Sequence, residues 1–174
     1  GADYFRRWHR LVECSGSLWV HKASHHFDLL NWWIDSDPES VYALGSLDHY
    51  GKNGTFRAEN CRTCPHTSKC KFYYDITRNQ NYMDLYVANE KYDGYLRDGC
   101  VFKNDVNIFD KMAATIRYKN GVQVAYSLTT YSPYEGYRIA FNGTKGRLEA
   151  WIQESRPTSD VNFDELVLFK NFGK

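Results

Sequence analysis

Three histidines and a carboxylate lie close together in the run His21-Lys22-Ala23-Ser24-His25-His26-Phe27-Asp28. At 3.6 residues per turn, His21, His25, Asp28 and Trp32 share one face of a helix predicted from about Leu18 to Ile34, with Leu18, Lys22, Leu29 and Trp33 beside them. An imidazole titrates near neutral pH, so a histidine on that face, oriented by Asp28, suits proton transfer. The same spacing lets two imidazoles and a carboxylate ligate one metal ion, and it equally fits satisfied core or surface histidines. Spacing alone does not choose among the three.

A second group of chemically capable residues follows. Cys61-x-x-Cys64-Pro65 and Cys70 place three thiols within ten residues, and Cys100 lies downstream. A two-residue gap lets both sulfurs point at one ion, so Cys61, Cys64, Cys70 and Cys100 can form a closed tetrahedral zinc site, with His66 the nearest substitute for the last. A disulfide or free thiols compete with that reading. The chain has 5 cysteines, an odd count that forbids complete internal pairing and leaves Cys14 over. Around the knuckle Lys52, Arg57, Arg62, Lys69, Lys71 and Arg78 outnumber Glu59 and Asp75, and Phe72, Tyr73 and Tyr74 sit among them. Basic and stacking residues on a zinc knuckle can hold single-stranded nucleic acid. A solvated loop over a structural knuckle is the simpler account, because the whole chain carries a net charge of only +1 and generates no global field for nucleic acid or an anionic membrane.

The elements that must position these groups follow from periodicity. Ser15, Gly16 and Ser17 can start the histidine helix, and Asp37-Pro38 ends it, since the residue before proline is pushed out of the helical region. A short helix is predicted from Asp3 to Leu11, with Tyr4, Phe5, Trp8 and Leu11 as its apolar stripe, and another from Asn81 to Lys91. Val41 to Leu47 reads as a strand. Met112-Ala114-Ile116-Tyr118 and Val122-Val124-Tyr126-Leu128 alternate on either side of Asn120-Gly121, a two-residue hairpin turn. Tyr137 to Phe141, Leu148 to Ile152 and Leu166 to Phe169 repeat the pattern, and together these segments predict an antiparallel meander. Its Ile116, Val124, Tyr126, Ile139, Phe141 and Leu148 would face helices, while Thr115, Arg117, Gln123, Ala125, Ser127, Thr129, Arg138 and Ala140 form a face of small polar groups. At 174 residues and 43% hydrophobic content the chain suits one domain. No run approaches the about 18 apolar residues of a membrane span, and the first residues do not read as a signal peptide.

Gly16-Ser17-Leu18 and His21 through Trp33 resemble the second domain of the Gfo/Idh/MocA family of glucose-fructose oxidoreductase- and inositol dehydrogenase-like proteins. Residues 59 to 73 and Cys100-Val101-Phe102 are also similar, as are Tyr137-Arg138-Ile139 and Phe141 through Glu149. The resemblance implies an α+β fold, a largely antiparallel open sheet with helices on one face, like the C-terminal domain of glyceraldehyde-3-phosphate dehydrogenase. It implies that residues 1 to 174 form one substrate-binding and oligomerisation domain, with the Cys-rich knuckle inserted at about 52 to 78. The family's helix carries an Asp-x-x-x-His pair facing a sugar or cyclitol and the nicotinamide; the His falls on His25, and the Asp position is taken by His21. The implied reaction is hydride transfer between a sugar or cyclitol hydroxyl and NAD or NADP. The cofactor would be held mainly by the protein's own N-terminal Rossmann domain, expected to be missing from this chain, since no G-x-G-x-x-G and no Glu-Lys-Pro occur here. Some relatives instead cleave glycosidic bonds with a tightly held NAD. The open sheet face is implied to build homo-oligomers. The expected compartment is the cytoplasm, or the periplasm if an upstream segment carries an export signal.

Overall fold

Met112, Ala114, Ile116 and Tyr118 are buried, while Lys111, Ala113, Thr115 and Arg117 between them are exposed, so strand β2 (Lys111–Tyr118) has one wet and one dry face. The computed structural model describes residues 1–155 and 164–171. Across the Asn120-Gly121 turn, β2 pairs antiparallel with β3 (Gln123–Thr129). Gly121 takes φ 88°, a left-handed value that glycine adopts without a Cβ clash, and Tyr118 N donates to Val122 O at 2.9 Å. Strand β1 (Pro38–Ser46) pairs with the other side of β2. It is a sheet edge, and Val41 and Leu44 stay 66% and 62% exposed.

Helices cover the dry face. They are α1 (Ala2–Arg6), α2 (Val12–Ser15), α3 (Ser17–His21) and α4 (Ala23–Ile34). The helix expected from Leu18 to Ile34 is therefore two helices. They meet at Lys22 (φ −121°, ψ −50°), where Lys22 N bonds Leu18 O and His25 N bonds Lys22 O. The corner lets Trp19 and Phe27, one from each helix, stack on each other at 6.0 Å while both reach Tyr126 of β3. Helix α4 ends at Ile34, as expected, and Asp35 caps it with a left-handed φ of 52°. The expected Asp3 to Leu11 helix is α1 plus a single 3-10 turn at Trp8–Arg10, divided by extended backbone at Arg7. Similarly, Asn81 to Lys91 is α5 (Gln80–Leu85), a 3-10 turn and α6 (Glu90–Asp93).

Ala114, Ile116 and Tyr118 pack against Trp19, Phe27, Ile34, Val124 and Tyr126, and a second cluster joins Phe5, Leu18, Tyr50, Val101, Val106, Ile108 and Met112. Burying each large apolar side chain of these clusters is worth about 1.5–3 kcal/mol. Two polar contacts fix α4 on the sheet: Tyr118 Oη donates to Asn31 Oδ1 at 2.8 Å, and His26 Nδ1 lies 2.8 Å from Tyr126 Oη. The fully buried Asp110 carboxylate accepts the backbone N–H groups of Asp48, His49 and Tyr50, holding the turn after β1.

The remaining strands are β4 (Glu135–Gly143), β5 (Gly146–Ser155) and β6 (Glu165–Lys170), paired antiparallel in that order. Among the described residues there are thus two three-stranded sheets where one meander is expected, in two compact units, Gly1–Tyr131 and Ser132–Lys174. Alternation reports which face of a strand is apolar but not which strand pairs with it, so the division leaves no trace in the pattern. The class remains α+β. Among the described residues no helix is long and apolar enough to cross a membrane.

Candidate active site

Helix α3 begins in an unusual way: Gly16 and Ser17 both take left-handed φ, 64° and 70°. A Cβ on Gly16 would meet Val20 Cβ at 2.9 Å. Ser15 Oγ accepts Ser17 N at 3.0 Å and Ser17 Oγ accepts Trp19 N at 3.3 Å, so the two serines expected at this start do satisfy its backbone donors. This entry directs His21 inward, toward α1 and the following turn. His21 is half-buried with its ring 4.7 Å from that of His9 and 5.5 Å from that of Tyr4. His9 is 5% exposed and stacks on Trp8 at 3.7 Å. The Nδ1 atoms of both His9 and His21 are buried without a hydrogen-bond partner.

Those surroundings favour neutral imidazoles. Burial, then the charges of Arg7, His21, Lys22 and Arg97, push His9 down to about 4. Burial, then Lys22, His25 and Arg7, also lowers His21. A neutral imidazole offers one donor and one acceptor, as a hydroxyl group needs. His25 and Asp28 lie on the exposed side of α4, away from the sheet. The expected contact between them is not made: no hydrogen bond of either side chain occurs among the described residues. Both are solvent-facing, His25 four residues and Asp28 seven residues after His21. His26 is a strut between α4 and β3.

Tyr4 and His9 carry no motif and come from a separate helix and turn, so helical spacing around His25 does not find them. Their only signal is the dense aromatic stripe of the first eleven residues. Arg6 was equally silent. It is 4% exposed, and its Nη1 donates to Cys61 Sγ at 3.3 Å and Gly99 O at 3.2 Å, while Nη2 donates to Phe72 O.

All four predicted cysteines line one small cavity together with Arg6, Phe56 and Phe72. All are free thiols, as is the exposed Cys14. Among the described residues no group of three or more His, Cys, Asp or Glu side chains is arranged to hold a metal ion. The basic residues of this region are largely committed elsewhere. Arg57 donates to the carbonyls of Lys52, Gly54 and Phe102, Arg62 pairs with Asp98 and Glu90, and Arg78 pairs with Asp75. Phe72 packs on the core against Tyr50, His49 and Phe102. That leaves Lys52, Lys69 and Lys71 of the six, a weak footprint for nucleic acid.

Residues 1–164 match the model of the oxidoreductase family's C-terminal alpha/beta domain, that of Gfo/Idh/MocA proteins. The chain belongs to the Gfo/Idh/MocA oxidoreductase family. It is 37% identical over 163 residues to YteT of Bacillus subtilis (strain 168), described as a candidate oxidoreductase, an alignment covering 86% of this chain. The chain spans 38% of that relative's length. Within this Gfo/Idh/MocA domain, His21 is the last residue of α3 and His25 lies in the first turn of α4.

Proposed function

We propose that this chain is the substrate-facing domain of a nicotinamide-dependent oxidoreductase that acts on a hydroxyl of a sugar or cyclitol. The observation that carries the proposal is the exposed His25 on α4, a helix whose other face is pinned to the sheet, with half-buried His21 at the end of the preceding helix α3. His25 is open to a substrate and moves the hydroxyl proton, as general base in oxidation and general acid in the reverse direction. His21, kept neutral by its surroundings, hydrogen-bonds a neighbouring substrate hydroxyl and orients it. Asp28 supports the positive charge His25 gains when it takes the proton. NAD or NADP, when bound, supplies the hydride acceptor. It would be held mainly by a Rossmann domain of the same protein, because the chain offers no glycine-rich phosphate loop.

A fixed α4 matters here. A general base works within hydrogen-bond reach of its proton, and the Asn31–Tyr118 and His26–Tyr126 contacts hold His25 to a small range of positions. The wet face of the first sheet carries the small Ala113, Thr115, Ala125, Ser127 and Thr129, the exposed Tyr42 and Leu44 of the edge strand, and the longer Lys111, Arg117 and Gln123. Such a face suits close approach of a second copy, and the complete protein is expected to self-associate through it.

The test is direct. The complete protein is incubated with NAD or NADP and a panel of sugars and cyclitols, and nicotinamide reduction is followed by absorbance. Substrate-dependent reduction supports the reading. Release of sugar from a glycoside with no net reduction assigns the protein to the glycosidase chemistry of the same superfamily. Neither activity, with cofactor binding absent, overturns the proposal.

A further inference from the structure

The cavity beneath Arg6 is lined by Cys61, Cys64, Cys70 and Cys100, and at about 10 Å³ it has room for one water-sized particle. Phe56, Phe72 and Val101 supply apolar wall, and Asn60, Thr67 and Tyr73 complete the lining. A void of that size lined by four unpaired sulfurs fits one small soft-liganded cation and little else.

The backbone around the sulfurs is already organised. Cys61 N donates to Asp98 O at 2.9 Å and Cys100 N to Glu59 O at 3.2 Å, with an isolated bridge between Asn60 and Gly99. Next to both cysteines, the fully buried Asp98 accepts Arg62 N at 3.1 Å and Nε at 3.0 Å. Two segments far apart in sequence are thus locked side by side. His66 N points at Cys64 Sγ and Phe102 N at Cys100 Sγ, both at 3.4 Å, so each sulfur accepts the N–H two residues on. Such N–H donors orient the sulfurs they reach, as outer hydrogen bonds orient the ligands of a metal.

Arg6 decides between the alternatives. A guanidinium that is 4% exposed needs negative charge, and its carboxylate neighbour Asp3 is a largely exposed side chain 3.4 Å from Nε. Its Nη1 is aimed at Cys61 Sγ and the cavity. Four thiols are neutral, and so is a disulfide. Four thiolates around a divalent ion carry two net negative charges, which Arg6 and the N–H donors would offset.

We propose that Cys61, Cys64, Cys70 and Cys100 form a closed structural Zn²⁺ site. The four thiols each release a proton and each thiolate gives one lone pair to the ion, with no change in oxidation state. In the present geometry the sulfurs line the cavity without converging on a common centre. Closure asks for rotation of side chains about Cα–Cβ, on a backbone held at the Cys61 and Cys100 ends by the Arg62–Asp98 clamp. The site would tie the loop from about residue 52 to 78 to the segment at Cys100 and to α1, behind the candidate active site.

The complete protein, purified without added metal or chelator, is analysed for zinc, iron and thiols. The proposal expects about one zinc per chain. Titration with a mercurial should release it as four thiols react, and Cys64→Ser and Cys70→Ser should each lower zinc content several-fold. Wild-type protein treated with a strong chelator should show faster amide exchange over residues 52 to 78 before the sheet responds, a readout that does not depend on variants folding. Metal-free protein with four reactive thiols, a disulfide in this set, iron with visible absorbance, or zinc that is indifferent to both substitutions would each overturn it.

Discussion

Replacing His26 by alanine should destabilise the fold without removing a group from the candidate catalytic face. His26 Nδ1 lies 2.8 Å from Tyr126 Oη, and burial pushes the Tyr126 hydroxyl up to about 12. That hydroxyl sits among Trp19, Phe27 and the β3 side chains, so little water can replace the lost partner. Leaving a buried polar group unpaired costs about 1–3 kcal/mol, and the lost ring contact adds some tenths more. Tyr126→Phe removes both the hydroxyl and the need to satisfy it, and the half-buried imidazole can turn to solvent, so its cost should be smaller, about 0.5–1.5 kcal/mol. The double variant should then recover about 1 kcal/mol relative to the sum of the singles. Urea titration followed by tryptophan fluorescence measures all three. With m of about 1–3 kcal/mol/M, a loss near 2 kcal/mol moves the midpoint by about 1 M. His25→Ala, at an exposed position without a hydrogen bond, should move it by far less. Equal shifts for His25 and His26, or strictly additive singles, would refute the assignment of His26 as strut.

Three further outcomes follow from the geometry. His9 is held neutral with its pKa lowered to about 4, so the folded state binds this proton more weakly than the unfolded chain. Its contribution is full above about pH 6.5 and lost as pH falls toward 4, and His9→Phe should flatten that acid limb in denaturation curves taken between those values. Gly16→Ala forces a Cβ into Val20 at a left-handed φ and should cost at least about 1–2 kcal/mol in thermal or urea denaturation, whereas Gly94→Ala, left-handed but with nothing nearby, should cost only the conformational part. Ser127→Arg on the exposed face of β3 should convert an oligomer to monomer in light scattering. A wild-type monomer at high concentration would remove that interface.

The sequence was most informative where one physical period dominates. Strand β2 is buried at every second residue as its alternation demands, and Asn120-Gly121 makes the turn expected of it. Helices were legible in place but not in continuity: the corner at Lys22 and the extended Arg7 arise from packing against Tyr126 and the core, which local pattern does not encode. Sheet partnership was hidden for the same reason. Within the site, His21 and His25 could be picked out by their four-residue spacing, although the corner at Lys22 puts them on successive helices. His9 and Tyr4 could not, because they arrive from elsewhere in the chain, and the burial of Arg6 reverses what an arginine in an N-terminal basic run would suggest.

The measurement that bears most directly on the central claim is steady-state turnover of the complete protein carrying His25→Ala. A positioned general acid-base is worth roughly 10²- to 10⁴-fold, so kcat should fall by that factor while the urea midpoint stays close to wild type. Full activity in His25→Ala, with the same fold, would contradict the assignment of proton transfer to this helix.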